Sequence, residues 1–232
     1  TSVHDPALAL QSAGHGSLVQ TQAGEWILAY LSRRPLVKGR TVLGRETCLQ
    51  SIAWSPDGWP RLARGTSRGG AGDDRSPSEE FLAPDLPCCE WDPEPARDDF
   101  QSPVLRSCYQ SLRIPLDASL MSLAERPGFL RLKGRESIVS NFRQALVARR
   151  IAAFQVAAST CVQFEPRSFQ QLAGIAAFYS TDSFYYLYVS RAAHASKCLG
   201  LMRCERGALS HPVEKEVSIE GWNDVFLGFD LA

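Results

Sequence analysis

Phe154-Gln155-Val156-Ala157-Ala158-Ser159-Thr160-Cys161-Val162-Gln163-Phe164 alternates along its length. One face carries Phe154, Val156, Ala158, Val162 and Phe164, and the other carries Gln155, Ser159 and Gln163. Side chains of a strand point to opposite faces in turn, so a period of two predicts a half-buried strand. Downstream, Gly174-Ile175-Ala176-Ala177-Phe178-Tyr179 and Phe184-Tyr185-Tyr186-Leu187-Tyr188-Val189 flank Ser180-Thr181-Asp182-Ser183, which predicts a hairpin. Short strands separated by turn signals point to a β-sandwich over residues 97–232. Residues 143–150 read as strand or loop, and the chain shows no convincing long amphipathic helix.

Toward the N-terminus the same logic recurs. Ser17-Leu18-Val19-Gln20 and Trp26-Ile27-Leu28-Ala29-Tyr30-Leu31 flank Gln22-Ala23-Gly24, a second predicted hairpin. Cys48-Leu49-Gln50-Ser51-Ile52-Ala53-Trp54 is a further strand, ended by Ser55-Pro56-Asp57-Gly58, where proline presets φ and glycine accepts φ > 0. Residues 1–62 thus form a first β region. Residues 63–96 read as a linker, flexible through Arg68-Gly69-Gly70-Ala71-Gly72-Asp73-Asp74 and stiffer through Pro77, Pro84, Pro87, Pro93 and Pro95.

The 232 residues carry 25 Lys plus Arg and 25 Asp plus Glu, a net charge of zero. Such a balance offers no electrostatic grip on nucleic acid or an anionic membrane, so neither is expected as a partner. No apolar run approaches the roughly 18–20 residues of a membrane span. The seven cysteines are odd in number and lack metal-type spacing, so they are expected to be reduced and mostly buried. Thiol usage and the missing signal pattern lean to the cytoplasm, with secretion as the alternative. There is no nucleophile elbow, phosphate loop, H-E-x-x-H or dinucleotide fingerprint.

Four histidines are present. His4, His194 and His211 lie in terminal or polar stretches and are expected to face solvent. His4-Asp5-Pro6 reads as a loop rather than as a catalytic aspartate. His15 differs, because glycine on both sides in Gly14-His15-Gly16 permits close backbone approach or unusual dihedrals at a strand end. Arg45, in Leu43-Gly44-Arg45-Glu46-Thr47, is either one half of an ion pair with Glu46 or a fork aimed at ligand hydroxyls. The dense aromatics Phe178, Tyr179, Phe184, Tyr185, Tyr186 and Tyr188 are either core with cross-strand pairs or a sugar-stacking surface.

Taken together, these motifs resemble glycoside hydrolase family 43, in its β-xylosidase/α-arabinofuranosidase type with a C-terminal concanavalin A-like sandwich. Gly14-His15-Gly16-Ser17-Leu18-Val19 with Gly24-Glu25-Trp26 is similar to the last-blade segment, as are Leu43-Gly44-Arg45-Glu46-Thr47 and Asp57-Gly58-Trp59-Pro60-Arg61-Leu62. Arg126-Pro127-Gly128-Phe129-Leu130-Arg131-Leu132, Gly134-Arg135-Glu136-Ser137 and Leu146-Val147-Ala148-Arg149-Arg150 are similar to the sandwich. The resemblance implies an all-β chain: the last blade of a five-bladed β-propeller in residues 1–62, then a concanavalin A-like β-sandwich in 97–232 whose family pattern continues beyond Ala232. It also implies an inverting hydrolysis, in which a base activates water and an acid protonates the leaving oxygen, the two carboxyls standing roughly 6.5–9.5 Å apart. The family's catalytic carboxylates find no matching positions here, so no catalytic residue is expected and the chain alone is expected to be inactive. By this resemblance His15 matches the family's active-site histidine near the propeller centre and Arg45 the arginine that contacts the bound sugar, and both are expected to bind substrate. No cofactor is expected, although the resemblance implies a calcium ion near His15 in intact relatives. The expected ligand is a small carbohydrate containing xylose or arabinose, with oligomers allowed. The alternatives are a carbohydrate-binding sandwich module or a subunit that works with a partner chain.

Overall fold

The computed structural model describes residues 8–36, 39–63, 76–192, 196–213, 215 and 217–231. His4, Asp5, His194 and the Gly-rich half of the expected linker lie outside the described residues. Among those residues there are fifteen β-strands and no α-helix, so the chain is all-β. No helix is long and apolar enough to cross a membrane among the residues described. The chain divides into two compact units, Thr1–Pro93 and Glu94–Ala232.

The first unit is a four-stranded antiparallel meander of β1 (Gln11–Gln20), β2 (Trp26–Arg33), β3 (Glu46–Trp54) and β4 (Pro60–Leu62), paired in sequence order. Four strands in this order are what one propeller blade contains. Two of its turns share one design. Thr21 N–H donates to Glu25 O at 2.8 Å and Gly24 N–H to Thr21 O at 3.0 Å, while Ser55 N–H donates to Trp59 O at 2.9 Å and Gly58 N–H to Ser55 O at 2.8 Å. Gly24 and Gly58 sit at φ of 86° and 79°, the left-handed conformation that closes such loops without a Cβ clash. Ile27 and Tyr30 are each 6% exposed, and alternation puts them on opposite faces of β2. The Tyr30 hydroxyl donates to Gln50 Oε1 at 2.7 Å, and Gln50 Nε2 donates to Ser76 O at 3.3 Å. Ser76 and Ser78 therefore lie over the Tyr30 face. Burial pushes the Tyr30 phenol up to about 12, the Cys48 thiol adding to the effect and a Ser78 backbone hydrogen bond opposing it.

The second unit contains β5 (Tyr109–Ser111), β6 (Met121–Ser122), β7 (Arg131–Leu132), β8 (Val147–Arg149), β9 (Val156–Val162), β10 (Ala173–Ser180), β11 (Ser183–Arg191), β12 (Lys197–Glu205), β13 (Ala208–Ser210), β14 (Val217–Ser218) and β15 (Val225–Leu231). The main sheet runs β10-β11-β12-β13, with β14 also on β12, and β15 pairs antiparallel with β9. Val189, Ile219, Val225 and Leu227 are buried together, and Val162, Phe164, Ile175, Leu187 and Leu199 pack against them. These residues come from both sheets, so their apolar faces meet in a sandwich core.

Toward its Val189 end strand β11 is covered on both faces, which is why it reads as a near-continuous apolar run. Its second face holds Phe184, 3% exposed, and Tyr188, 7% exposed. Phe178 and Phe184 stack at 6.1 Å between ring centroids, and Tyr186 meets Tyr188 at 5.4 Å. Tyr188 lies over Gly200, its cross-strand partner, where an added Cβ would come within 2.4 Å of the ring. Lys197 is 2% exposed at its side chain, and its ammonium donates to Glu165 Oε1 and to Trp222 O, each at 2.5 Å. Its backbone N–H donates to Glu220 Oε2 at 2.8 Å.

The cysteines depart from expectation. All seven are free, but only Cys198 and Cys204 are buried, while Cys88 and Cys89 are exposed. The latter two lie in residues 76–93, which carry no strand and no sheet to bury them.

Candidate functional site

His15 and Arg45 flank β2 toward one end of the blade. The spacing places His15 at a strand end, but the structure puts it inside β1, which begins six residues earlier, at Gln11 rather than Ser17. The register of β1 on β2 shifts between Gln11 and Gly14 and again between Gly14 and Ser17, a pair of bulges. Bulges bend a strand and redirect a side chain. Within them Ser12 and His15 adopt φ of 54° and 56°. A non-glycine residue in that region carries local strain, and such residues cluster at sites where side-chain direction matters. Of the flanking glycines, only Gly16 marks a close approach: a Cβ there would meet Leu28 Cδ1 at 2.7 Å, whereas Gly14 faces open space. His15 is exposed.

Arg45 immediately precedes β3 and follows Gly44, whose φ is 73°. It is exposed, and of its two readings the ion pair with Glu46 does not form. Glu46 is taken instead by Arg34, whose Nε and Nη2 donate to its two carboxylate oxygens at 2.9 and 2.6 Å. Consecutive residues on a strand point to opposite faces, so Arg45 and Glu46 diverge, while Arg34, just past β2, reaches the same side as Glu46. This fork holds the Glu46 carboxyl below its ordinary value. Among the described residues neither His15 nor Arg45 makes a side-chain hydrogen bond or ion pair. Two polar side chains thus stand exposed at one end of the sheet, without a side-chain partner among the described residues. Sequence reasoning passed over Arg33, whose Nε donates to Ser12 Oγ at 3.0 Å and ties the first bulge to β2. The signal was the basic run Arg33-Arg34 at the end of a strand.

No group of three or more His, Cys, Asp or Glu able to hold a metal occurs among the described residues. Calcium takes six to eight oxygen ligands. The His15 bulge brings an imidazole and a neighbouring guanidinium, so these residues do not by themselves fit calcium. His211 is exposed, as expected of it.

Comparison with known proteins gives a consistent picture. Residues 97–231 match the β-xylosidase C-terminal concanavalin A-like domain, and residues 1–60 match glycosyl hydrolases family 43. A β-xylosidase of Bacillus subtilis is 37% identical over 94% of this chain and 41% of its own length. A xylan 1,3-β-xylosidase of Vibrio is 39% identical over 77% of this chain and 34% of its own. The crystal structure of xylan β-1,4-xylosidase from Bacillus halodurans superposes with a TM-score of 0.90 at 41% identity, over 98% of this chain and 42% of that one. The chain thus spans less than half the length of these relatives. On its matched domains, its identities and its all-β fold, the chain belongs to glycoside hydrolase family 43.

Proposed function

We propose that this chain supplies substrate-binding groups of a β-xylosidase-type glycoside hydrolase and performs no hydrolysis by itself. In this reading Arg45 offers its fork to vicinal sugar hydroxyls and His15 a single directed hydrogen bond. The bulged, glycine-flanked backbone aims the imidazole, and the Arg33–Ser12 hydrogen bond steadies the bulge. The acid and base of an inverting reaction come from residues other than those of this chain.

The observation that carries the reading is the placing of His15 and Arg45, exposed toward one end of the blade with no side-chain partner among the described residues; the state of four carboxyls agrees with it. A general acid at a glycosidic oxygen must hold its proton near neutral pH, which requires a raised pKa. Here every described carboxyl with a shifted acidity is shifted downward: Asp57 by the Ser55 hydroxyl, Asp117 by Ser119, Glu136 by Ser140 and Glu46 by Arg34. All four therefore stay ionised and serve as acceptors in turns and in an ion pair, poor candidates for proton donation. The substrate class, short oligosaccharides ending in xylose or arabinofuranose, follows the relatives, whose names cite both 1,3 and 1,4 linkages.

The test is nitrophenol release from aryl β-xyloside and aryl α-arabinofuranoside by the purified chain. Release at the buffer rate is expected. Release above it, abolished by His15→Ala or Arg45→Ala, would overturn the reading and assign new carboxylates to the chemistry.

A further inference from the structure

Of the six aromatics clustered on β10 and β11, four are used by the fold and two are not. Phe178, Phe184, Tyr186 and Tyr188 share one face and pack with each other. Tyr179 and Tyr185 stay 70% and 49% exposed. We propose that Tyr179 and Tyr185, with Arg203 and Glu205 beside them, form a stacking site for a xylo-oligosaccharide on the main sheet of the sandwich.

The placement follows from the register. Ala177, Tyr185, Arg203 and Ser210 stand directly opposite one another across β10, β11, β12 and β13, which makes a single row over four strands. In the adjacent row Ser183 pairs with Glu205 and Glu205 with Ala208, while Tyr179 occupies the bulge that ends β10. Alternation puts Tyr185 on the same face as Leu187 and Val189, which pack in the core. The face is therefore covered at its Val189 end and open at its Tyr185 end. Ala177, Ser183, Ala208 and Ser210 are all small, so in the two rows only Arg203 and Glu205 reach the height of the tyrosine rings.

The polar groups suit a neutral sugar. Arg203 forms an ion pair with Glu205, and its guanidinium carbon lies 5.8 Å from the centre of the Tyr185 ring. Paired in this way, the two residues present N–H donors and a carboxylate acceptor side by side beside an aromatic floor, with no net charge to favour an anion. Vicinal hydroxyls need both kinds of group. A xylopyranose ring lacks a hydroxymethyl branch, so its C–H faces are flat and can lie on both tyrosines. β11 is hydrogen-bonded on both edges, so Tyr185 is held in place before binding and little ordering is required. Two rings and an ion pair make too small a patch for a stable protein interface.

The sugar class rests on the proposed function, but the site uses neither His15 nor Arg45. The experiment is a calorimetric titration of the full chain with xylotetraose, repeated on Y179A/Y185A, Y179F/Y185F, R203M and H15A/R45A, each checked for folding by circular dichroism. The expected result is loss of one binding event, by at least tenfold in affinity, in Y179A/Y185A, a several-fold weakening of that event in R203M, its near-native strength in the phenylalanine pair, and its persistence in H15A/R45A. Absence of binding to the unmodified chain overturns the inference. So does binding of unchanged stoichiometry and affinity in Y179A/Y185A, or complete loss of binding in H15A/R45A. Tyrosine-dependent binding accompanied by aryl glycoside hydrolysis would remove the proposed function and leave this site standing.

Discussion

Lys197 offers an unusual asymmetry, because the buried member of its ion pair is the cation and its partner is largely in water. The Lys197 side chain is 2% exposed and the Glu165 side chain 67%. Removing one partner of a fully buried pair costs about 3–5 kcal/mol, because the other charge is stranded. In Glu165→Ala the stranded charge is the buried ammonium, which keeps Trp222 O but loses its carboxylate. Since Glu165 is already well solvated, screening discounts the loss, and we expect about 2 kcal/mol. In Lys197→Met the remaining carboxylate is exposed and returns to water. The side chain keeps its length and apolar stem, and Trp222 O loses one hydrogen bond, for about 1 kcal/mol. Urea unfolding followed by near-ultraviolet circular dichroism gives both values. The double variant should match Lys197→Met alone, because no buried charge remains. A Lys197→Met cost clearly above that of Glu165→Ala would refute the reasoning.

Further expectations follow from single contacts. Gly200→Ala places a methyl within 2.4 Å of the Tyr188 ring and should cost about 1–3 kcal/mol of unfolding free energy, much of it recovered when Tyr188→Ala is added. The Tyr30 phenol ionises at about 12 in the folded chain against an ordinary 10.0. Its folded value is raised, so its stabilising contribution is complete below pH 10 and is lost as pH climbs toward 12, and a tyrosinate absorbance titration should show one late phenol absent from Tyr30→Phe. His15→Gly should leave stability unchanged or raise it by up to about 1 kcal/mol, since glycine adopts φ of 56° freely, whereas β-branched His15→Val should lower it in thermal melts.

The local parts of the fold were readable. Both hairpins stand where alternating runs flank turn residues, and Gly24 and Gly58 take the positive φ that their turns require. The start of β1 was hidden, because two bulges break the period of two before Ser17 and Gly14 and Gly16 mimic a loop. The partnership of β9 with β15 was also out of reach. Val156–Val162 announces a strand, but its neighbour lies more than sixty residues away and no turn fixes the register. The burial of Lys197 was out of reach as well, because lysines are mostly exposed unless paired and its partner Glu165 is remote in sequence. The aromatic cluster was ambiguous for a different reason. Adjacent Tyr185 and Tyr186 point to opposite faces, and only the packing of the second layer decides which is covered. At the candidate site, the Gly-His-Gly pattern located His15, while Arg45 beside Glu46 suggested a pairing that strand geometry forbids.

The central claim is that this chain contributes binding groups and no bond cleavage. A proton NMR time course of xylotriose with the purified chain tests it most directly, because substrate and released sugar have separate anomeric signals. The account predicts substrate signals of constant intensity and no free xylose over many hours. Growth of a xylose signal, with the α-anomer appearing first as inversion of a β-linkage demands, would contradict it.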